Sequence, residues 1–265
     1  MNNVVRSELV RLRRRAVVIG WFGLIAAFAV LINIVMFQFV EPGAAEPAPG
    51  PGVTFPSSAE LMSSSGLFAG MPAAATFFGI VTLSFWALAT ATDYDTGLVR
   101  IIVSAQPSRW RLVLGKWVAL AVMTALSAAI ALIISVGVAP LGASAGGWEP
   151  IAWGEDGLAT AASTYLELLA ALLVWGSIGQ VLATLFRSSG IAIGVGIAYV
   201  MVVEGVIGAA SSAVGDWLPG ATLSALAAGG NATMELPVAL GLGLAYTVAA
   251  IGGACWAFTT RDITD

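Results

Sequence analysis

The sequence contains no histidine, and its single cysteine is Cys255. The first absence excludes histidine metal sites, histidine-ligated haem and any histidine catalytic base. The second excludes an intrachain disulfide and a cysteine-cluster metal site, so Cys255 reads as a small apolar residue inside a helix. Charge is scarce as well. Only 10% of the 265 residues are Asp, Glu, Lys or Arg, against roughly 25% in soluble domains. With 58% hydrophobic residues and a mean hydropathy of +0.93, this composition specifies an integral membrane protein. Its apolar runs are continuous and helix-length, unlike the short alternating strands of a barrel. No phosphate-binding Gly-x-x-x-x-Gly-Lys-[Ser/Thr] loop occurs: Gly115-Lys116 is followed by Trp117 and lacks the upstream glycine. The chain therefore has no ATPase site of that kind. It shows no catalytic constellation and no nucleic-acid signature, and its arginine runs suit lipid headgroups better than phosphodiesters.

What is present is a succession of six membrane-length runs, at residues 16–40, 71–92, 117–139, 158–186, 190–210 and 238–258. Residues 1–15 precede them with five arginines. On a helix, Val5, Leu9, Leu12 and Ala16 form one stripe away from Arg11, Arg14 and Arg15. Two readings stand side by side: an interfacial helix on the inner leaflet, or a plain basic stop before the first span. The long apolar run that follows argues against a cleaved signal peptide. Residues 41–70 are rich in Pro, Gly, Ala and Ser and read as an external loop. Pro72 suits a helix start. Pro140 is expected to end the third span. Trp148 and Trp153 are expected at the membrane interface. Residues 187–189 form a very short turn. Within 211–237, an apolar piece at 217–228, interrupted by Pro219-Gly220, is too short to span and is expected to be half-buried or re-entrant.

Charge placement orients this layout. Arg6, Arg11, Arg13, Arg14, Arg15, Arg100, Arg109, Arg111, Lys116, Arg187 and Arg261 all fall on one side of the expected membrane. The opposite loops hold only acids: Glu41, Glu46, Glu60, Glu149, Glu155, Asp156, Asp216 and Glu235. The positive-inside rule then gives an all-α integral membrane fold, one transmembrane domain over 1–265 with six transmembrane helices and both termini cytoplasmic. The connection between the second and third spans is long and charged, while that between the fourth and fifth is very short. This disfavours an inverted-repeat transporter.

The long connection, residues 93–116, is a cytoplasmic island. Leu98, Ile101, Ile102 and Ala105 have the spacing of one face of a short helix. Gln106-Pro107 is expected to stop that helix, and Ser108 offers an N-cap for the next span. Such a helix suits a mechanical contact with a partner; the alternative is an ordinary loop with topogenic charges. Inside the membrane, Glu167 and Glu204 are costly unless they face a cavity or a partner. Counted along their helices, both lie in the outer half, as does Asn33. The three could line an outward-opening substrate pathway, or merely pin helix packing. Gly190 and Gly194 have the spacing that permits close helix contact.

Over nearly its whole length the chain resembles the membrane subunit of ATP-binding cassette type-2 exporters. The resemblance is carried by Asp93 or Asp95, Gly97, Arg100, Pro107-Ser108-Arg109 and Gly115-Lys116, which look like that family's first cytoplasmic connection. The basic segment 1–15 looks like its elbow helix, 217–228 like its external half-helices, and Arg261-Asp262 like its tail. One departure is that family members often carry Glu upstream and Gly-Thr at the turn, where this chain has Asp and Gly97-Leu98. The resemblance implies a permease in the cell inner membrane that pairs with a second copy or a paralogue. Two copies of a separate ATPase, which bind ATP and Mg, would contact Asp93, Asp95, Gly97, Arg100, Pro107 and Arg109. No cofactor is implied for this chain. Two other classes remain open on the residues alone: a proton-coupled secondary transporter using Glu167 or Glu204, and a non-transporting scaffold or immunity protein.

Overall fold

The computed structural model describes residues 2–41, 43, 49–50, 53–105, 108–149, 153 and 156–260. Gln106, Pro107, Arg261 and Asp262 lie outside the described residues. Helix α1 (Asn2–Leu12) ends at Arg13-Arg14, and α2 (Arg15–Phe39) follows. The loop beyond α2 carries a minimal hairpin, β1 (Pro49–Gly50) against β2 (Val53–Thr54). It also carries α3 (Ser58–Met62) and the single turn α4 (Gly70–Ala73). Then come α5 (Ala75–Asp95), α6 (Leu98–Ala105), α7 (Arg109–Ala145) and α8 (Gly157–Phe186). Helix α9 (Ser189–Ala198) runs through a π-helical stretch, Tyr199–Glu204, into α10 (Gly205–Ala210). Two short helices, α11 (Ser212–Gly215) and α12 (Pro219–Ala227), lead to α13 (Leu236–Thr260).

Six helices are long and apolar enough to cross a membrane: α2, α5, α7, α8, the continuous α9–α10 unit and α13. The chain is thus a multi-pass, helical membrane protein. The third span is much longer than its apolar run. Helix α7 has 37 residues, about 55 Å at 1.5 Å per residue, against a hydrocarbon core of about 30 Å. It overhangs at both ends. Pro140 does not end it, contrary to expectation; the helix continues to Ala145. Gly142 there lies directly against the Asn33 carbonyl and Phe37 of α2, so the helix beyond the proline is held by its neighbour. Membrane helices tolerate proline where such neighbours support the freed backbone.

Helix α8 is the hub of the bundle, packing on α5, α7, α9, α12 and α13. Its most extensive contact, with α5, is a reciprocal ring-and-notch fit. The Trp175 ring of α8 lies over Gly79 of α5, and the Trp86 ring of α5 lies over Gly176 of α8. Both rings are buried. Without a hydrophobic difference between helix and lipid, such dispersion contacts and interhelical hydrogen bonds hold a membrane bundle together. The bonds are here: Trp86 Nε1 donates to Thr124 Oγ1 at 2.9 Å, and Trp117 Nε1 to Ser177 Oγ at 2.8 Å. Gln180 Nε2 donates to the Val113 carbonyl at 3.2 Å. Trp148 and Trp153, expected at the membrane interface, have hydrogen-bond partners within the chain. Trp148 is buried and donates to the Phe37 carbonyl at 3.2 Å, which ties its loop to α2, and Trp153 donates to the Leu61 carbonyl at 2.8 Å, which ties it to α3 in the first loop.

The α9–α10 unit is the least covered span: Ile191, Val202 and Val206 are all more than half exposed. Among the described residues Gly190 and Gly194 meet no neighbouring element, so the close contact their spacing allows is not made there.

Candidate functional site

The bundle has a basic end and an acidic end, and each carries one site. At the basic end, Gly97 takes φ +66°, a conformation that glycine adopts without steric cost. This turns the chain sharply from α5 into α6. Helix α6 buries Val99 and exposes Arg100 and Ile101, the latter at 67%. Asp95 and Gly97 are exposed beside it. These three sequence-predicted contact residues, Asp95, Gly97 and Arg100, are therefore all accessible.

Asp93 and Arg109 are less exposed. Asp93 is buried, at 5% exposure. It accepts from Arg11 and lies 2.5 Å from Lys116 Nζ. Glu8 completes the group, 2.9 Å from Arg11 and 3.3 Å from Lys116. Lys116 also donates to the Ala89 carbonyl at 3.0 Å. Two carboxylates and two cations thus alternate in a neutral cluster that ties α1, α5 and α7 together. Burial acts to lower the Arg11 pKa, but the bond to Asp93 and the charges of Asp93 and Glu8 outweigh it and raise it. The guanidinium stays charged throughout the physiological range. Arg109 donates to the carbonyls of Phe258 and Thr259 at 3.3 and 3.2 Å. It caps the negative end of α13, where a cation is favoured. Asp93 and Arg109, expected to meet a partner, are instead committed within the chain. Glu8 is the member that sequence reasoning missed; the available signal was an acid three residues before Arg11 in an otherwise basic segment.

At the acidic end, Asn33, Glu167 and Glu204 do not converge. Asn33 is fully buried, donates to the Ala29 carbonyl at 2.8 Å and accepts from Ser135 Oγ at 2.9 Å. It pins α2 to α7. Glu204 accepts from the Gly220 amide through both carboxylate oxygens, at 2.9 and 2.8 Å. Gly220 is in the first turn of α12, so the carboxylate caps the positive end of that helix. Glu167 sits at the other end of α12. Its carboxylate lies against Gly229, which has φ +72° and leaves the room a Cβ would take.

Glu167 lines a cavity of about 660 Å³. Its walls come from the loop around α3, from α4, the first turns of α8 and the C-terminal half of α12. Phe55, Phe68 and Ala227 supply apolar surface; Thr76, Thr160 and Ser224 supply hydroxyls. Glu60 is a second carboxylate on the lining, but it is engaged in a capping box with Ser57, whose amide donates to it at 2.7 Å. Of the three groups placed at similar depth by sequence, Glu167 faces this cavity, while among the described residues Asn33 and Glu204 make bonds that pin packing.

No curated protein matches the chain. One family model matches residues 26–264, described as a protein of unknown function (DUF2705). That match takes in every span except the start of α2, and both ends of α12, but not α1. The chain belongs to the DUF2705 family.

Proposed function

We propose that the chain is the transmembrane permease subunit of an ATP-binding cassette exporter. The observation that carries this reading is α6. It is a short helix standing at the basic end between two spans, turned outward at Gly97, with Arg100 and Ile101 exposed. The neutral cluster of Glu8, Arg11, Asp93 and Lys116 clamps the bases of α5 and α7 on either side of it. A force on α6 would therefore reach both spans rather than dissipate in a loop.

In this reading the basic end is cytoplasmic, by the positive-inside rule, and the protein resides in the cell inner membrane with both termini inside. Helix α1 lies at the inner leaflet as an elbow helix. Helix α12 is the re-entrant external segment. Helix α6 is a coupling helix seated on a separate ATPase, which supplies ATP and Mg binding. Two ATPases and a second permease copy complete the assembly, the second copy meeting the exposed α9–α10 face. ATP binding favours the closed ATPase dimer, and closure moves α6 and with it α5 and α7. The logic is a population shift: ATP moves the equilibrium only by its differential affinity for the closed state.

The test is a detergent pull-down of the tagged chain from its native membranes, with the eluate assayed for ATP hydrolysis. An ATPase that co-purifies with the wild type and is lost or uncoupled in Arg100→Ala or Gly97→Val is expected. Co-purification unaffected by any substitution across residues 95–101 would refute the coupling role.

A further inference from the structure

The cavity at the acidic end has a property that neither packing nor the ATPase-coupled reading requires. Its one uncommitted ionisable group is a carboxylate. Among the described residues, Glu167 makes no hydrogen bond and no ion pair. It is only partly exposed, and it stands at the C-terminal end of α12, the negative end of that helix dipole. Neither the dipole nor any side chain compensates it. No cation can approach from elsewhere in the chain. No lysine or arginine occurs between Arg15 and Arg100, between Lys116 and Arg187, or between Arg187 and Arg261. Every segment that reaches this end is therefore free of positive side chains, whatever its conformation. Glu60, on the same lining, adds a second negative charge, so the local field draws cations inward.

We infer that this cavity is a binding site for a monovalent organic cation, a protonated amine or quaternary onium carried on an apolar body. The volume, about 660 Å³, lies within the range of small-molecule pockets, roughly 300–1,000 Å³. Phe55, Phe68 and Ala227 offer the apolar body a wall, and Thr76, Thr160 and Ser224 offer hydroxyl acceptors near its polar end. A divalent metal is a poor match. Calcium takes six to eight oxygen ligands, and among the described residues no three acidic, histidine or cysteine side chains come together. An organic cation asks only for one carboxylate, a low-dielectric wall and no competing lysine or arginine. The two carboxylates on α12 thus have separate uses: Glu204 holds its N-terminal end, and Glu167 is left to the ligand. Binding here is a property of the isolated chain and does not depend on the exporter reading.

The experiment uses the full chain in lipid nanodiscs and two probes of nearly equal size and opposite charge, tetraphenylphosphonium and tetraphenylborate. Binding is measured against empty nanodiscs to subtract partitioning into lipid. Saturable binding of the phosphonium, and none of the borate, is expected. Glu167→Gln keeps the shape of the side chain and should weaken phosphonium binding about tenfold or more, the effect of losing a charged contact. Thr160→Arg leaves Glu167 in place and brings an internal cation onto the same face of α8, two turns away; it should abolish phosphonium binding. If Glu167→Gln does not fold, Thr160→Arg decides the matter. Equal binding of both probes, absence of saturable phosphonium binding, or wild-type affinity in the folded variants would overturn the assignment.

Discussion

Replacing Asp93 by Asn tests whether the basic end is one mechanical unit. In the wild type, Glu8 and Asp93 face Arg11 and Lys116, and the four charges cancel. The substitution leaves Glu8 alone opposite two cations. Arg11, with its side chain 28% exposed, can turn toward water. Lys116, at 10%, cannot, and keeps only Glu8 at 3.3 Å and the Ala89 carbonyl. Removing one partner of a buried pair costs about 3–5 kcal/mol. The exposure of Arg11 places this case near the lower end, about 3 kcal/mol, or roughly a hundredfold in the folding equilibrium. Lys116→Met alone should cost a similar amount, since it leaves two carboxylates on one arginine. Combining the two restores neutrality, with Glu8 and Arg11 still paired at 2.9 Å. The double variant should therefore lose less than the sum of the singles, by about 1–3 kcal/mol, the range for residues in one network. Unfolding in mixed micelles of increasing SDS fraction, followed by tryptophan fluorescence, measures all four proteins. Additivity within about 0.5 kcal/mol, the behaviour of independent sites, would refute the idea of a coupled cluster.

Three further substitutions have defined outcomes. Gly176→Val puts a branched side chain into the Trp86 ring; the same SDS titration should show α5 and α8 separating at a lower SDS fraction, while Gly137→Val, which meets open space, should not. Ser135→Ala leaves the buried Asn33 carbonyl oxygen without its donor and should cost about 1–3 kcal/mol, the penalty for an unsatisfied buried group. Glu204→Ala removes the cap of α12 and should cost about 1 kcal/mol. Its hydrogen exchange should rise around Gly220 while exchange in α13 stays unchanged.

The parts of this fold that were legible in sequence are those set by local composition. Hydropathy located the spans because the bilayer is a one-dimensional solvent: a run of apolar residues is stable only where the lipid is. The short helix α6 was legible from the spacing of its apolar residues, and the turn into it rests on Gly97. What was not legible depends on direction around a helix and on partners far away in the chain. Asn33, Glu167 and Glu204 could be ranked by depth, but residue counting gives no azimuth, and the three face Ser135, a cavity and Gly220 respectively. Arg11 and Asp93 are 82 residues apart, so no local pattern announces their pairing, and Asp93 read as a contact residue because it belongs to the charged island. Pro140 read as a stop because proline opposes helix continuation in isolation; the support that α2 gives α7 beyond it is a tertiary fact. Trp148 and Trp153 fit the composition of an interface belt, and their carbonyl partners, Phe37 and Leu61, are too far off in sequence to be read locally.

The most direct test of the proposed role is site-specific photocrosslinking in native membranes, with the photoreactive residue at Ile101 on α6 and, as control, at Leu158 at the opposite end. Both side chains are well exposed, at 67% and 87%. The adducts are then probed with a photoreactive ATP analogue. Crosslinking from position 101, but not from 158, to a polypeptide that takes up the analogue is predicted. An ATP-binding adduct from both positions, or from neither, would contradict the account.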